Sequence, residues 1–480
     1  MRRITAAFAC LLSVLAFAGS AGGTVFGVAD DAGKYANDGG SSFFSSLNDL
    51  GMTENRVTVL WDPSNPTTID DQAFLDRSVP KAVAHGIDLV FAIYPMKARG
   101  LVDTTNGIQL FAQFAAKVAR RYPQVTKIIC LNEGNQTRFQ QPQYDAAGNG
   151  VAGGIQEAAM AACYDALKAV NPAIDVIGFG FSPRGNDDAT ATSNVSHSPI
   201  RFLEEISAAY KASGRTRPIV DDVSLHCYPN TNTDAPSVGF SWPNVGCVNL
   251  DRFKQAWWDV FHGTGQPVFQ EYGKTAKDTD TAGPYVRAFI DESGYQAQIP
   301  ADKTNLYTGT ENVPTVSEQQ QGEYYSQLIA WAACDPDVAE LNIFHLIDES
   351  ALTAMQTGLE YPDGTHRASY DIVKAAIAAN KTCHGTLDLW HHTVRVVGAK
   401  TSFRKLPRSF LVTAAEGYTY SVTIANSTRT LSSATGSARP NVNMKFVLPK
   451  LKHGTYRMVV RLQAETNTGR VTTFRRTIHV

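Results

Sequence analysis

Beyond residue 22 the chain has no apolar run near the roughly 20 residues of a membrane-spanning helix, so no span is expected. It has no Cys-x-x-Cys and no Cys/His spacing of a zinc site, so no metal and no other cofactor is expected. It has neither G-x-G-x-x-G nor a P-loop, which leaves an open nucleotide-binding sheet without its usual mark. Net charge is small: 43 Lys and Arg against 45 Asp and Glu give −2, which by itself excludes no partner. That total hides a local shortage of acids. Residues 386–480 hold 15 Lys and Arg but 3 Asp and Glu, a surplus of 12 positive charges, so residues 1–385 carry −14.

What is present begins with a leader. Arg2 and Arg3 precede an apolar run at 4–17, and Ala16-Phe17-Ala18 and Gly19-Ser20-Ala21 are small-residue cleavage sites. Residues 1–21 therefore read as a secretory signal peptide, and the chain as an extracellular protein. Cys10 leaves with the leader. Six cysteines remain, an even number that permits disulfides in an oxidising compartment. Cys227 and Cys247 flank an insertion and are expected to staple it. Cys130 with Cys163, and Cys334 with Cys383, are the other expected pairs.

From residue 24 to about 379, short apolar runs alternate with helical patterns, the mark of βαβ units. Eight strands are expected, at 24–29, 56–61, 89–94, 127–133, 176–181, 223–228, 268–272 and 341–347. Helical patterns fall between them, at 41–50, 70–85, 108–122 and 155–170, the last stopping at Asn171-Pro172. Thr315-x-x-Glu318 reads as a capping box for a later helix. Eight such units closing on themselves predict a (β/α)8 TIM barrel over 24–383; an open doubly wound sheet is the alternative. The connection 274–314 is long enough to be a functional loop. After Cys383 the helical period vanishes, and six short strand patterns predict a small, basic, all-β sandwich-like domain at 386–480.

Catalytic groups of a TIM barrel stand at the carboxyl ends of its strands. Two expected strands end in glutamate: Ile128-Ile129-Cys130-Leu131-Asn132-Glu133 and Val268-Phe269-Gln270-Glu271-Tyr272. A carboxylate there costs solvation energy unless it has partners or chemistry to perform. Glycoside hydrolysis uses two carboxyls, about 5–5.5 Å apart when configuration is retained. Strand alternation turns Glu133, Leu131 and Ile129 inward and Cys130 toward the helices.

On these residues the chain resembles clan A of the glycoside hydrolases, near families 5 and 39. The resemblance rests on Asn132-Glu133 at strand four, Glu271 at strand seven, Arg56 on strand two and His226-Cys227-Tyr228 on strand six. It implies a secreted, retaining glycosidase acting on β-linked oligo- or polysaccharide, with Glu133 as acid/base and Glu271 as nucleophile. It further implies that Arg56 lies near the nucleophile, that Tyr228 hydrogen-bonds it, that His226 belongs to the site, and that Asn132 contacts the sugar 2-hydroxyl. Two departures stand out. Asn132-Glu133 is followed by Gly134 where many members have Pro, and strand eight, Phe344-His345-Leu346-Ile347-Asp348-Glu349, shows no Trp.

Trp61, Tyr94 and Trp242, at or after the ends of strands two, three and six, are the candidate platforms for sugar rings. Asp30, Asp31, Asp348 and Glu349 are either substrate ligands or surface acids, and Asp221-Asp222 read as structural. The basic C-terminal domain is expected to bind an anionic polymer rather than a specific nucleic acid. The competing readings are a non-catalytic carbohydrate-binding protein and a cell-surface protein on a barrel scaffold.

Overall fold

The computed structural model describes residues 23–240, 243–269, 284–383, 395–397, 409–413, 418–438, 443–445, 451–464 and 471–479. Eight parallel strands close in chain order: β1 (Val25–Ala29), β2 (Glu54–Trp61), β3 (Asp88–Pro95), β4 (Lys127–Cys130), β5 (Asp175–Phe181), β6 (Asp222–His226), β7 (Ala288–Ser293) and β8 (Val338–Ile343). β1 pairs with β2 at Gly27↔Glu54 and with β8 at Val25↔Glu340. That second ladder makes the fold a (β/α)8 barrel and excludes the open sheet.

The helices form where apolar residues recur every three or four positions. In Gly107–Arg121 the buried stripe includes Phe111, Phe114, Ala115 and Val118. Ala152–Val170 is rich in alanine, the best helix former, and ends at Asn171 before Pro172. Glu318–Ala332 starts differently from the expectation: its cap is Ser317, whose hydroxyl accepts from Gln320 N. Ser317 immediately precedes the first helical turn, whereas Thr315 is two residues further out.

The barrel buries side chains in two shells. The larger lies between strands and helices and holds Phe91, Phe111, Phe181 and Trp257. Trp61 belongs to it, fully buried and set edge-on to Phe111 at 5.7 Å. The expected sugar platform at Trp61 is thereby corrected: alternation along β2 turns it outward with Val57 and Val59. Inside the ring a small apolar plug forms from Val90, Ala92, Ile129, Ile177 and Phe289. Toward the amino-terminal strand ends, Lys127 pairs with Glu54 and stands 3.7 Å from Glu340. Asn342 Nδ2 donates to both carboxylates at 3.2 Å.

Strand seven is the main departure. It is Ala288–Ser293, inside what reads as a long loop, rather than 268–272. Val268 and Phe269 are buried, but Phe269 packs on Phe253 and Trp257 of the helix Leu250–Phe261. A short apolar run satisfied by a helix looks the same in sequence as one satisfied by a sheet. Glu271 lies outside the described residues, as does Trp242.

Disulfides join Cys227 to Cys247 and Cys334 to Cys383. Cys130 does face the helices, but it and Cys163 are buried thiols with sulfurs 2.9 Å apart. Among the described residues no helix is long and apolar enough to cross a membrane. Among the described residues the regular structure of the C-terminal region is all β. β9 (Arg395–Val397), β10 (Ser409–Thr413) and β13 (Asn443–Lys445) form one antiparallel sheet. β11 (Tyr418–Ala425), β12 (Thr430–Ala438), β14 (Thr455–Ala464) and β15 (Val471–His479) form another, in the order β12-β11-β14-β15.

Candidate active site

The carboxyl ends of β2, β4, β6 and β7 bring together Arg56, Asn132, Glu133, His226, Tyr228, Asp291 and Glu292. β4 ends at Cys130, and the chain then leaves strand geometry: Leu131 and Glu133 both take left-handed backbone, φ 73° and 38°. This breaks the expected alternation. Leu131 joins the outer core, Ile129 stays in the inner plug as expected, and Asn132 and Glu133 both reach the barrel mouth. The backbone N–H of Glu133 donates to Gly180 O at 2.7 Å. Gly180 permits that approach, since a Cβ there would stand 3.2 Å from Asn132 Cα. Gly134, in place of the resembled family's proline, lies against the Gln156 side chain, whose amide end a Cβ there would displace.

On β7 two consecutive acids reach one network. Simple alternation would separate Asp291 from Glu292, but the β7–β8 register shifts between Ile290 and Ser293. Arg56 consequently meets both, Nη2 lying 3.1 Å from Glu292 Oε1 and Nε 3.4 Å from Asp291 Oδ2. The same Nη2 donates to Asn132 Oδ1 at 2.8 Å. Tyr228 OH donates to Glu292 Oε2 at 2.9 Å. Ser224 Oγ donates to Asp291 Oδ1.

His226 is the hinge of the arrangement. Its Nδ1 lies 2.9 Å from Glu133 Oε1 and 3.3 Å from Glu292 Oε2. The two legs together cap the separation of these carboxylate oxygens at about 6 Å. His226 is fully buried, which disfavours its charge, but Glu292 and Asp291 outweigh burial and hold its pKa well above the ordinary value. Arg56 follows the same balance and is held firmly charged. Burial raises Asp291, yet His226 and Arg56 bring it below the usual carboxylate range. Burial and the neighbouring Glu292 both push the Tyr228 phenol well up, so it stays a hydrogen-bond donor.

Above this network opens a cleft of about 830 Å³. The Glu133 and Glu292 side chains reach it with 17% and 10% exposure, whereas His226 and Asp291 are sealed beneath. Tyr94, edge-on to Phe139 at 5.9 Å, and Phe344, edge-on to Tyr228 at 5.9 Å, form aromatic walls.

The other acids have structural partners. Asp30 accepts from Ala32 N, Leu346 N and Ile347 N, pinning the end of β1 to the segment after β8. Asp31 accepts from Thr58 N. Asp348 pairs with buried Arg367 and accepts from Tyr307. Asp222 holds Arg287, and Asp221 holds Lys168, at the opposite barrel end. Sequence reasoning missed Asp291, Glu292 and Phe344. The available signal was Ala288-Phe289-Ile290-Asp291-Glu292, an apolar run ending in acids just as strand four does.

No protein-family model and no curated protein matches the chain. Among solved structures, a family 39 glycoside hydrolase from the gut symbiont Bacteroides cellulosilyticus WH2 superposes with TM-score 0.47 at 13% identity, over 94% of this chain and 74% of that one. A Bacteroides uniformis β-glucuronidase gives TM-score 0.44 at 13% identity over 95% of this chain and 45% of that one. The chain thus spans about half the length of that glucuronidase. An endo-1,4-β-mannanase from Rhizomucor miehei gives TM-score 0.44 at 13% identity, over 75% and 94%.

Proposed function

We propose that the chain is an exported, retaining glycoside hydrolase that cleaves β-linked sugars by double displacement, with Glu133 as acid/base and Glu292 as nucleophile. The observation that carries this reading is the pair of carboxylates meeting across His226, with one oxygen of each at most about 6 Å apart. Retaining enzymes hold their carboxyls at about 5–5.5 Å, and inverting enzymes at about 6.5–9.5 Å to admit a water.

Each neighbour then has a task. Arg56 pairs with Glu292 Oε1, and the Tyr228 hydroxyl donates to its Oε2 and aims it. Glu292 attacks the anomeric carbon while Glu133 passes its proton to the departing oxygen. The bond to that oxygen breaks and a glycosyl ester forms on Glu292. Glu133, now a base, takes a proton from water, which attacks the same carbon and frees Glu292. Asn132, its Oδ1 held by Arg56, leaves its amide nitrogen for a sugar hydroxyl. Tyr94, Phe139 and Phe344 flank the ring with apolar surface. The leader and the paired cysteines support export.

The test is an aryl β-glycoside panel followed by NMR of the first-formed product. Retention is expected, and azide should restore turnover to Glu133→Ala on substrates with good leaving groups. An inverted product, or no hydrolysis of any glycoside by the intact chain, contradicts the reading.

A further inference from the structure

The four-stranded C-terminal sheet has two unlike faces. On one, Val422, Ile424, Met458, Val460 and Ile478 are buried. On the other, the ladders set Arg457 across from Thr477, Val459 from Arg475 and Arg461 from Thr473. β11 extends this face with Ser421, Thr423 and Ala425. Arg457, Arg461 and Arg475 are exposed. Diagonal neighbours on a sheet stand about 7–8 Å apart, so Arg475 sits between two further guanidiniums.

This charge gathers at a cleft. A hollow of about 630 Å³ at the sheet end is lined by Asn426, Ser427, Thr455, Arg457, Arg475 and Arg476 among others, and no carboxylate side chain among the described residues lines it. Arg476 belongs to the other face, across from Met458 on the edge strand β15, and lines the hollow half-buried, its guanidinium 4.4 Å from the Phe474 ring centre. Its Nε is buried with no hydrogen-bond partner among the described residues. Asp388, Glu416 and Glu465, the only acids of 386–480, fall outside the described strands. Guanidiniums beside hydroxyl and amide groups match planar or tetrahedral anions.

We propose that this cleft and the arginine face beside it bind an anionic polysaccharide, with its carboxylate or sulfate groups seated on Arg457, Arg475 and Arg476. Among the described residues the face presents mainly Thr, Ser and Arg; its one ring is His479 at the strand end, and Tyr456, which lines the cleft, is buried, which gives the bases of a single-stranded nucleic acid little to stack on. Binding here is separate from the chemistry of the barrel and is read without turnover.

The experiment measures binding of the full chain to immobilised polygalacturonate, dextran sulfate, neutral dextran and duplex DNA, between about 0.05 and 0.5 M salt. Either or both acidic polysaccharides should bind, more tightly than DNA and more weakly as salt rises, while dextran should not bind. Replacing Arg457, Arg475 and Arg476 together by Gln should weaken binding at least about tenfold, as loss of charge-assisted hydrogen bonds requires. Removing equal charge elsewhere, with Lys81→Gln, Arg120→Gln and Lys211→Gln, should change it less than about twofold. Should the arginine variant misfold, phenylglyoxal labelling of the unmodified chain decides: polygalacturonate or dextran sulfate should protect Arg457 and Arg475 in peptide maps. Equal losses in both variants, equal binding to dextran, tighter binding to DNA, or unprotected arginines would each overturn the proposal.

Discussion

The barrel carries two buried charged networks, one toward each end of its strands, made from the same kinds of side chain. At the amino-terminal end Glu54 and Glu340 are completely sealed and share Lys127 and Asn342. At the carboxyl-terminal end Arg56, His226 and Asp291 are equally sealed, but Glu133 and Glu292 each leave a carboxylate edge in the cleft. Both networks set acids against bases to offset lost hydration. In the lower one only Lys127 reaches solvent, 25% exposed, and neither acid does. Burial beside Glu54 pushes the Glu340 carboxyl well up, a cost borne inside the structure with nothing to react. The lesson is that buried charge alone does not mark an active site; what sets the proposed site apart is that two of its acids reach a cleft.

The comparison breaks most visibly at Glu292. Glu292→Ala should lower kcat by about 10⁴-fold while moving the thermal midpoint little, and Glu271→Ala should stay within about threefold of the parent. Steady-state kinetics on one aryl glycoside checks both, and the reverse ranking would return the nucleophile to Glu271. Lys127→Met should do the opposite. It strands Glu54 and Glu340 and should cost roughly 2–4 kcal/mol of stability, with kcat/KM of the folded fraction nearly unchanged. Urea unfolding with parallel assays measures it; loss of activity without loss of stability would erase the distinction between the two ends.

His226 sharpens the contrast through pH. Its folded pKa lies above the ordinary value of 6.5, so the protonated ring stabilises the fold. That contribution is complete below pH 6.5 and is lost as pH rises through the folded pKa. The gap in thermal midpoint between the parent and His226→Asn should therefore be wider at pH 6 than at pH 9. A gap that grows with pH would reverse the assignment of charge. The smallest expected effects separate two aromatic residues. Tyr94→Ala should raise KM about tenfold, the equivalent of roughly 1.4 kcal/mol of ring contact. Trp61→Phe should leave KM alone and lower stability by about 1 kcal/mol, as a trimmed core residue does.

Much of the fold is legible in the sequence. Regular alternation of apolar runs and helical stripes points to an α/β barrel, and Arg56, Asn132, Glu133, His226 and Tyr228, which carry the family resemblance, stand together at one end of it. The failures have specific physical causes. Val268 and Phe269 are apolar because they cover Phe253 and Trp257, not because they lie in the sheet. The true β7 was hidden by Asp291, a charge in a fully buried strand that makes sense only once Arg56, Ser224 and His226 surround it. Trp61 was misassigned because one strand position separates the mouth of the barrel from its outer shell. Leu131 escaped because left-handed backbone at two positions overrides strand alternation.

The central claim is that Glu292 forms the covalent intermediate, and trapping tests it most directly. The intact chain is incubated with activated 2-deoxy-2-fluoro glycosides, digested with trypsin and mapped by mass spectrometry. The account predicts one added sugar on the peptide 288–303, with fragmentation placing it on Glu292. A sugar on the peptide 255–274, which carries Glu271, or turnover with no labelled peptide at all, would contradict it.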